Sequence, residues 1–327
     1  MSYAGAIERL LSLVRPETSP ARRHAMAQAG VLRLLHGLDD PHQSLAVVHV
    51  AGSKGKGSTA HYIEAVLRGC GLRTGLYTSP HLVDWTERIR IDGAPVTEQA
   101  FADALDDVWT VLLRETPTGG AHADVASFFD VLTAAACHEF ARRGVQVAVV
   151  ECGLGGRFDA TNVFASRVGI ITTLELEHTD RLGQRIESIA WHKAGIARRD
   201  RPLLIGPMPE NARRVVSMEA RAVGARLHDQ REFIASPPRV CDTNILLDYQ
   251  HAGLRLDVRL PGPALHAAEN ACLALAAAHL GELVDPASLR THAAAALAGC
   301  QPPGRLQLFP GPPRLLVDAA HAEGSAR

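Results

Sequence analysis

The stretch His49-Val-Ala-Gly-Ser-Lys-Gly-Lys-Gly-Ser-Thr59 decides the fold class, because it joins an apolar strand to a helix through small and cationic residues. The apolar run 45–50 predicts the strand, and apolar residues at helical spacing beyond the stretch predict the helix. Gly52, Gly55 and Gly57 let backbone N–H groups approach a phosphate, and the helix N-terminus adds partial positive charge. The stretch therefore predicts a loop that binds nucleotide phosphates.

Every residue of this loop is a candidate nucleotide contact. Lys56 can reach the β- and γ-phosphates, and a hydroxyl at the start of the helix can hold Mg²⁺. The strict P-loop spacing is not met, because Val50 replaces its first glycine and Gly57 follows the lysine. A glycine- and lysine-rich surface turn is the alternative. The predicted contacts are Gly52, Ser53, Lys54, Gly55, Lys56, Gly57, Ser58 and Thr59.

Two further apolar runs end beside residues that could complete the site. The run 145–150 leads into Glu151, and the run 168–173 leads into Glu177 and His178. Ligands bind at the carboxyl ends of strands in open α/β sheets. Alternatively, the first glutamate caps a turn and the histidine is an ordinary surface or core residue. The pattern predicts an α/β fold, with a P-loop-type, mostly parallel sheet and helices on both faces.

Five ordered segments, spread over almost the whole chain, carry a further signal. They are the loop at 49–59; Tyr77-Thr-Ser-Pro-His-Leu82 with Thr86-Glu-Arg-Ile-Arg-Ile-Asp-Gly93; Val149-Val-Glu-Cys-Gly-Leu-Gly-Gly-Arg-Phe-Asp-Ala-Thr-Asn-Val163; Glu177-His-Thr-Asp-Arg-Leu-Gly183 with Lys193-Ala-Gly-Ile196; and Pro303-Gly-Arg305 with Leu316-Val-Asp-Ala-Ala-His321. Together they resemble the signature segments of the folylpolyglutamate synthase/dihydrofolate synthase family of Mur-type ATP-dependent ligases.

The resemblance implies two Mg²⁺ ions as well as ATP. The family's metal ligands match Ser79, Glu151 and His178, and Ser58 joins them from the loop. The resemblance also implies that Lys193 is carbamylated and holds the second Mg²⁺, since a desolvated amine near a metal loses its proton readily. A solvated lysine on a helix over 186–197 is the alternative. The catalytic candidates are Lys56, His178 and Lys193.

The resemblance implies contacts to the remainder of the nucleotide and to the pterin. The matching nucleotide contacts are Asn270, Arg305, Asp318 and His321. The matching pterin-site residues are Phe128, Phe129 and Asp159, and core packing is the alternative for the two phenylalanines. The family usually continues with Asn-Pro after the last histidine, whereas Ala322 and Glu323 follow here.

Composition argues against several other classes of protein. The formal net charge of -1 provides no overall basic field for nucleic acid. No signal-peptide pattern or bilayer-spanning apolar run is present. The six cysteines contain no Cys-x-x-Cys pair, so neither a zinc ribbon nor a disulfide scaffold is indicated. We expect a cytoplasmic monomer with small-molecule substrates and no nucleic-acid or membrane partner.

The last part of the sequence predicts the start of a second α/β domain. Residues 1–300 are predicted as the ATP-binding ligase domain, 301–313 as a proline-rich linker, and 314–327 as the first strand of a C-terminal glutamate-ligase domain. A single strand needs partners for its edges. We therefore expect that most of the second domain is missing and that this strand is unpaired.

The predicted reaction is ATP-dependent ligation of L-glutamate to a folate-type carboxylate through an acyl phosphate. The acceptor is dihydropteroate, a tetrahydrofolate polyglutamate, or both, and the sequence leaves this open. The alternatives are another Mur-type amide ligase and a nucleotide-binding remnant without ligase activity.

Overall fold

The computed structural model describes residues 1–14, 28–309 and 311–319. The strands are β1 Ala46–Ala51, β2 Thr74–Tyr77, β3 Ile89–Ile91, β4 Ala94–Pro95, β5 Val147–Glu151, β6 Val168–Ile171, β7 Pro202–Ile205, β8 Arg226–Asp229, β9 Ile234–Cys241, β10 Asn244–His251, β11 Leu254–Pro261, β12 Gln307–Phe309 and β13 Leu315–Val317. The helices are α1 Tyr3–Leu11, α2 Ala29–His36, α3 Lys56–Gly69, α4 Glu98–Glu115, α5 His122–Val125, α6 Phe128–Arg142, α7 Thr179–Leu182, α8 Ile186–Ala194, α9 Glu210–Val223, α10 His266–Leu280 and α11 Pro286–Ala298.

The central sheet has the strand order β4-β3-β2-β5-β1-β6-β7-β8. The strands from β2 to β8 in this order run parallel, and β3 and β4 add an antiparallel edge. In β1, Val50 is in register with Glu151 of β5 and with Ile170 of β6. The carboxyl ends of these three neighbours therefore meet at one edge, where ligands bind in such sheets.

Helices cover both faces because the central strands are apolar on both sides. In β5, Ala148 and Val150 face a core that includes α1, α2, α4 and α6. Val147 and Val149 of the same strand face a second core with α3, α10 and α11. Burying one such side chain contributes about 1.5–3 kcal/mol, so both layers add to stability. The predicted α/β class, with a mostly parallel sheet covered on both faces, is confirmed.

A three-stranded antiparallel sheet, in the order β11-β10-β9, packs against the second core and was not predicted. In β11, apolar residues at even positions from Leu254 to Leu260 are buried, while Arg255, Asp257 and Arg259 are exposed. This strict alternation is the signal for a half-buried strand, and it was available in the sequence.

The predicted linker 301–313 contains strand β12. This strand pairs antiparallel with β13, so the expectation of an unpaired last strand is wrong. The two ends of the hairpin are joined where Leu306 N–H donates to the Asp318 carboxylate at 2.8 Å. β12 thus pairs with the backbone groups along one edge of β13. The domain boundaries themselves remain predictions.

None of the helices in the described ranges combines the length and the apolar character needed to cross a membrane.

Candidate active site

The phosphate loop connects β1 to Lys56, the first residue of α3. Gly52 and Gly55 have φ values of 150° and 80°. A Cβ at Gly52 would overlap the Thr172 hydroxyl, and one at Gly55 would lie 2.5 Å from Asn270 Oδ1. Both positions need glycine for space as well as for conformation. The loop is therefore packed against the end of β6 and against α10.

The two lysines of the loop have different surroundings. Lys54 Nζ forms an ion pair with Glu175 at 3.0 Å. Lys56 Nζ donates to the Ser53 carbonyl at 3.2 Å and has no carboxylate partner among the described residues. The Lys56 ammonium is thus the cation that the loop leaves available for an anionic ligand.

A cleft extends from the first turn of α3 towards the C-terminal hairpin. Its lining includes Ser58, Asn270 and Arg305, three of the predicted nucleotide contacts. Thr59 Oγ1 donates to Asn270 Oδ1 at 3.1 Å, so the threonine positions the asparagine. Asp318 lies in the hairpin. His321 lies outside the described residues.

Glu151 is a buried carboxylate at the carboxyl end of β5. It accepts a hydrogen bond from Ser79 N–H at 3.2 Å, and a Cβ on Gly57 would lie 3.6 Å from its Oε2. Burial raises the pKa of this carboxyl group, although Lys56 and Arg305 oppose the shift. The structure thus brings Glu151, Ser79 and the phosphate loop together.

Lys193 is 2% exposed and lies behind the phosphate loop. Its Nζ donates to the Gly52 carbonyl at 2.7 Å and pairs with Glu177 at 2.9 Å. Burial lowers the pKa of the amine, nearby Lys56 lowers it further, and Glu177 opposes both. The alternative of a solvated lysine is wrong, because the helix faces this residue into the protein.

His178 is exposed and has a left-handed backbone with φ of 46° at the start of α7. Within the described ranges, no group of three or more His, Cys, Asp or Glu side chains is placed to hold a metal ion. The predicted magnesium ligands include only two such side chains, Glu151 and His178, alongside the hydroxyls of Ser58 and Ser79, so this finding does not test them. The metal-binding and catalytic roles of His178 stay predictions.

Comparison with known proteins decides the family. The dihydrofolate synthase/folylpolyglutamate synthase of Mycobacterium tuberculosis is 33% identical over 338 residues, which cover 98% of this chain and 68% of that protein. The chain belongs to the folylpolyglutamate synthase/dihydrofolate synthase family. The resemblance predicted from the five segments is thereby confirmed.

Solved structures agree with this family assignment. The apo form of L. casei FPGS superposes with a TM-score of 0.88 at 30% identity, over 99% of this chain and 78% of that one. An FPGS-AMPPCP-folate complex superposes with a TM-score of 0.87 at 31% identity, over the same shares of the two chains. The fold described above is thus the fold of folylpolyglutamate synthases.

Coverage of the relatives is unequal. A probable bifunctional folylpolyglutamate synthase/dihydropteroate synthase of Haloferax volcanii is 33% identical over 98% of this chain, but the chain spans only 37% of that protein. The chain likewise spans 34% and 36% of its Caenorhabditis elegans and Arabidopsis thaliana relatives. No family model matches the chain.

The residues of this chain that are predicted to line the pterin site have different environments. The Phe129 ring covers Gly153, where an added Cβ would lie 2.6 Å from it, and its centroid is 5.9 Å from that of Tyr77. Asp159 is buried and accepts from Leu154 N–H at 2.7 Å. Burial raises the pKa of this carboxyl group. Both side chains therefore shape the turn after β5, and their substrate contacts stay predictions.

Phe128 belongs to a cluster that the sequence analysis missed. Its ring centroid lies 5.8 Å from that of Trp85, which in turn lies 4.5 Å from that of His81. The guanidinium carbon of Arg88 lies 5.0 Å from the Trp85 centroid and 5.9 Å from the Phe128 centroid. The available signal was the concentration of aromatic and basic residues in the motif region 81–88.

Proposed function

We propose that this protein uses ATP to ligate L-glutamate to a folate-type carboxylate, either dihydropteroate, a tetrahydrofolate polyglutamate, or both. One observation carries the proposal: the phosphate loop, whose Lys56 pairs with no carboxylate of the described residues, adjoins the buried Glu151 at the carboxyl edge of a parallel sheet. Several relatives bear the names of these synthases, and one solved relative is a complex with AMPPCP and folate.

ATP would bind with its phosphates on the loop. The backbone N–H groups and the start of α3 supply partial positive charge there, and Lys56 supplies a full charge. The nucleotide would continue along the cleft past Asn270 and Arg305. Asp318 and His321 are proposed as further nucleotide contacts.

Mg²⁺ fits beside Glu151. Within the ranges that the structure describes, this buried carboxylate accepts one hydrogen bond, from Ser79 N–H, so a cation would offset the cost of its burial. Oxygen ligands suit Mg²⁺, and Ser58 and Ser79 hydroxyls could join phosphate and water oxygens around it. When bound, Mg²⁺ neutralises charge on the phosphoryl oxygens.

A second Mg²⁺ is proposed at Lys193. Carbamylation would replace the ammonium by a carboxylate next to Glu177, and two adjacent carboxylates favour a bound cation. The lowered pKa of the buried Lys193 amine agrees with this, because only the neutral amine adds CO₂. His178, from the same loop as Glu177, is proposed as a further ligand.

The proposed reaction has two steps. A carboxylate oxygen attacks the γ-phosphorus of ATP, so a P–O bond forms to give an acyl phosphate and ADP leaves. The glutamate amine then attacks the acyl carbon, its proton passes to solvent, and phosphate leaves as the amide forms. Lys56 stabilises the charge on the transferred group, and the loop positions the phosphates.

We propose a cytoplasmic monomer that binds no nucleic acid or membrane.

Product analysis tests this function. The purified chain is incubated with ATP, Mg²⁺, glutamate and dihydropteroate or tetrahydrofolate, and phosphate release and the folate product are followed by assay and chromatography. Glutamate-dependent phosphate release with a product one glutamate longer is expected. ATP binding without any product under these conditions would identify a nucleotide-binding protein without ligase activity.

A further inference from the structure

Arg88 is a buried cation without a carboxylate partner in the described part of the chain. It is the last residue of the 3-10 helix Trp85–Arg88, and only 8% of it is exposed. Its sole hydrogen bond with the described residues is to a neutral acceptor, His81. Buried charges are ordinarily paired, so an unpaired guanidinium beside a candidate active site calls for a ligand.

Its neighbours hold the guanidinium in one orientation. Arg88 Nε donates to His81 Nδ1 at 2.9 Å, and the guanidinium carbon lies 5.0 Å from the Trp85 centroid and 5.9 Å from the Phe128 centroid. The two Nη groups make no hydrogen bond within the described part of the chain. A planar fork whose outer nitrogens have no partner among the described residues matches a carboxylate.

The electrostatic surroundings also favour an anion. Lys56, Arg305 and Arg88 all interact electrostatically with Glu151. The Asp159 carboxylate also acts on Glu151, and backbone N–H groups already bond to it. Three cations therefore act on one buried carboxylate beside the phosphate loop. Their positive charge attracts ATP and a second, carboxylate-bearing substrate.

We propose that Arg88 binds the carboxylate of the acceptor substrate, the group that is phosphorylated, through its two Nη groups. The inference rests on the proposed ligase function and assigns it a residue that contacts the reacting group. Trp85 and Phe128 fix the plane of the fork, and His81 occupies Nε so that the other nitrogens face the ligand. Because the contact is bidentate and charge-assisted, it should favour carboxylate over carboxamide by roughly 10- to 100-fold.

A binding comparison tests this assignment. Pteroate carries a single carboxylate and no glutamate, and its carboxamide differs from it only in that group. Both are titrated calorimetrically, with a nonhydrolysable ATP analogue and Mg²⁺ present, into wild type, Arg88→Gln, Arg88→Lys and Arg9→Gln. Arg9 is the control, because it also lies over an indole ring, 5.7 Å from the Trp109 centroid, but pairs with Asp106 at the surface.

Wild type and Arg9→Gln should prefer pteroate over the carboxamide by the same factor. Arg88→Gln should lose the preference, and Arg88→Lys, which keeps the charge without the fork, should retain an intermediate one. If Arg88→Gln does not fold by circular dichroism, an undiminished preference in Arg88→Lys overturns the bidentate contact.

Other results separate this inference from the proposed function. A full preference for pteroate in folded Arg88→Gln overturns the inference and leaves the ligase proposal standing. A raised KM for glutamate with unchanged pteroate affinity in that variant places Arg88 at the other substrate and also overturns it. Failure of the wild type to bind either pteroate or a folate removes the proposed function and this inference together.

Discussion

Lys193 and Glu177 form a 2.9 Å ion pair behind the phosphate loop, and the same ammonium donates to the Gly52 carbonyl at 2.7 Å. One lysine therefore holds both the loop after β1 and the loop after β6. Burial raises the pKa of Glu177, but Lys193 and Lys56 outweigh that effect and bring it below its ordinary value. The pair couples the phosphate loop to the segment that carries His178.

Replacing Lys193 by methionine should destabilise the protein, because the Glu177 charge and the Gly52 carbonyl lose their partner. Since Glu177 is 22% exposed, we expect about 2–3 kcal/mol, below the usual cost for a fully buried pair. Urea denaturation measures the change. The Lys193→Met/Glu177→Gln double variant should recover part of it. If Lys193→Met is as stable as wild type, the ion pair adds nothing to the stability of the protein.

If Lys193 is carbamylated during turnover, Lys193→Ala should be inactive and partly rescued by an added short carboxylate. The reason is that a free carboxylate can occupy the place of the missing carbamate. Ligation assays with and without formate test this, and Lys54→Ala serves as a control that formate should not stimulate. Equal activity of Lys193→Ala and wild type would exclude a carbamate function.

Glu151→Gln should abolish turnover and yet stabilise the metal-free protein at neutral pH. The pKa of Glu151 is raised in the folded state, so its ionised form is the disfavoured one. The stability that Glu151 contributes is therefore fully present below the unfolded pKa of about 4.3 and is lost as pH rises through the folded pKa. Urea denaturation from pH 4 to 8 should give the variant a higher midpoint than wild type at the neutral end, and this difference should disappear at the acid end. A gain that is the same at every pH would contradict this assignment.

His178→Ala should stop turnover without changing stability, since the side chain is exposed and lies in a loop. Phosphate release and the unfolding free energy are measured on the same preparation. Thr179→Ala, at the adjacent exposed position, is the control and should remain active. Retained activity in His178→Ala would remove the histidine from the metal site.

Lys56→Ala should weaken binding of a nonhydrolysable ATP analogue by on the order of 1.5–3 kcal/mol, the value of a charge-assisted hydrogen bond. Lys54→Ala should lose less, because that ammonium is already paired with Glu175. Calorimetric titration in the presence of Mg²⁺ compares the two. If both variants lose the same affinity, the distinction between a free and a paired loop lysine is wrong.

Gly55→Ala should be more destabilising than Gly71→Ala, although both glycines have similar φ values of 80° and 88°. The left-handed backbone costs roughly 1–2 kcal/mol in either case. Only at Gly55 would the added Cβ also meet Asn270 Oδ1, at 2.5 Å, whereas nothing lies within 4 Å at Gly71. The difference in urea midpoint therefore measures the clash. Equal midpoints would show that Asn270 moves aside freely.

Local patterns in the sequence were sufficient for the main elements. The apolar run 45–50 and the glycines after it predicted β1, the loop and α3, because strand, turn and helix preferences act over a few neighbouring residues. The runs before Glu151 and Glu177 predicted strands for the same reason. Several ordered motifs then identified the family. The alternation in β11 was an equally local signal and was overlooked.

By itself, the sequence determined the parallel α/β class, the phosphate loop and the family of this protein. Only the tertiary structure decided that Lys193 pairs with Glu177, that β13 pairs with β12, and that Arg88 meets no carboxylate among the described residues. Such contacts depend on strand order and on how helices pack over the sheet, so residues far apart in the chain become neighbours. A side chain's charge and size are written in the sequence, but the partner that satisfies it is chosen by the fold.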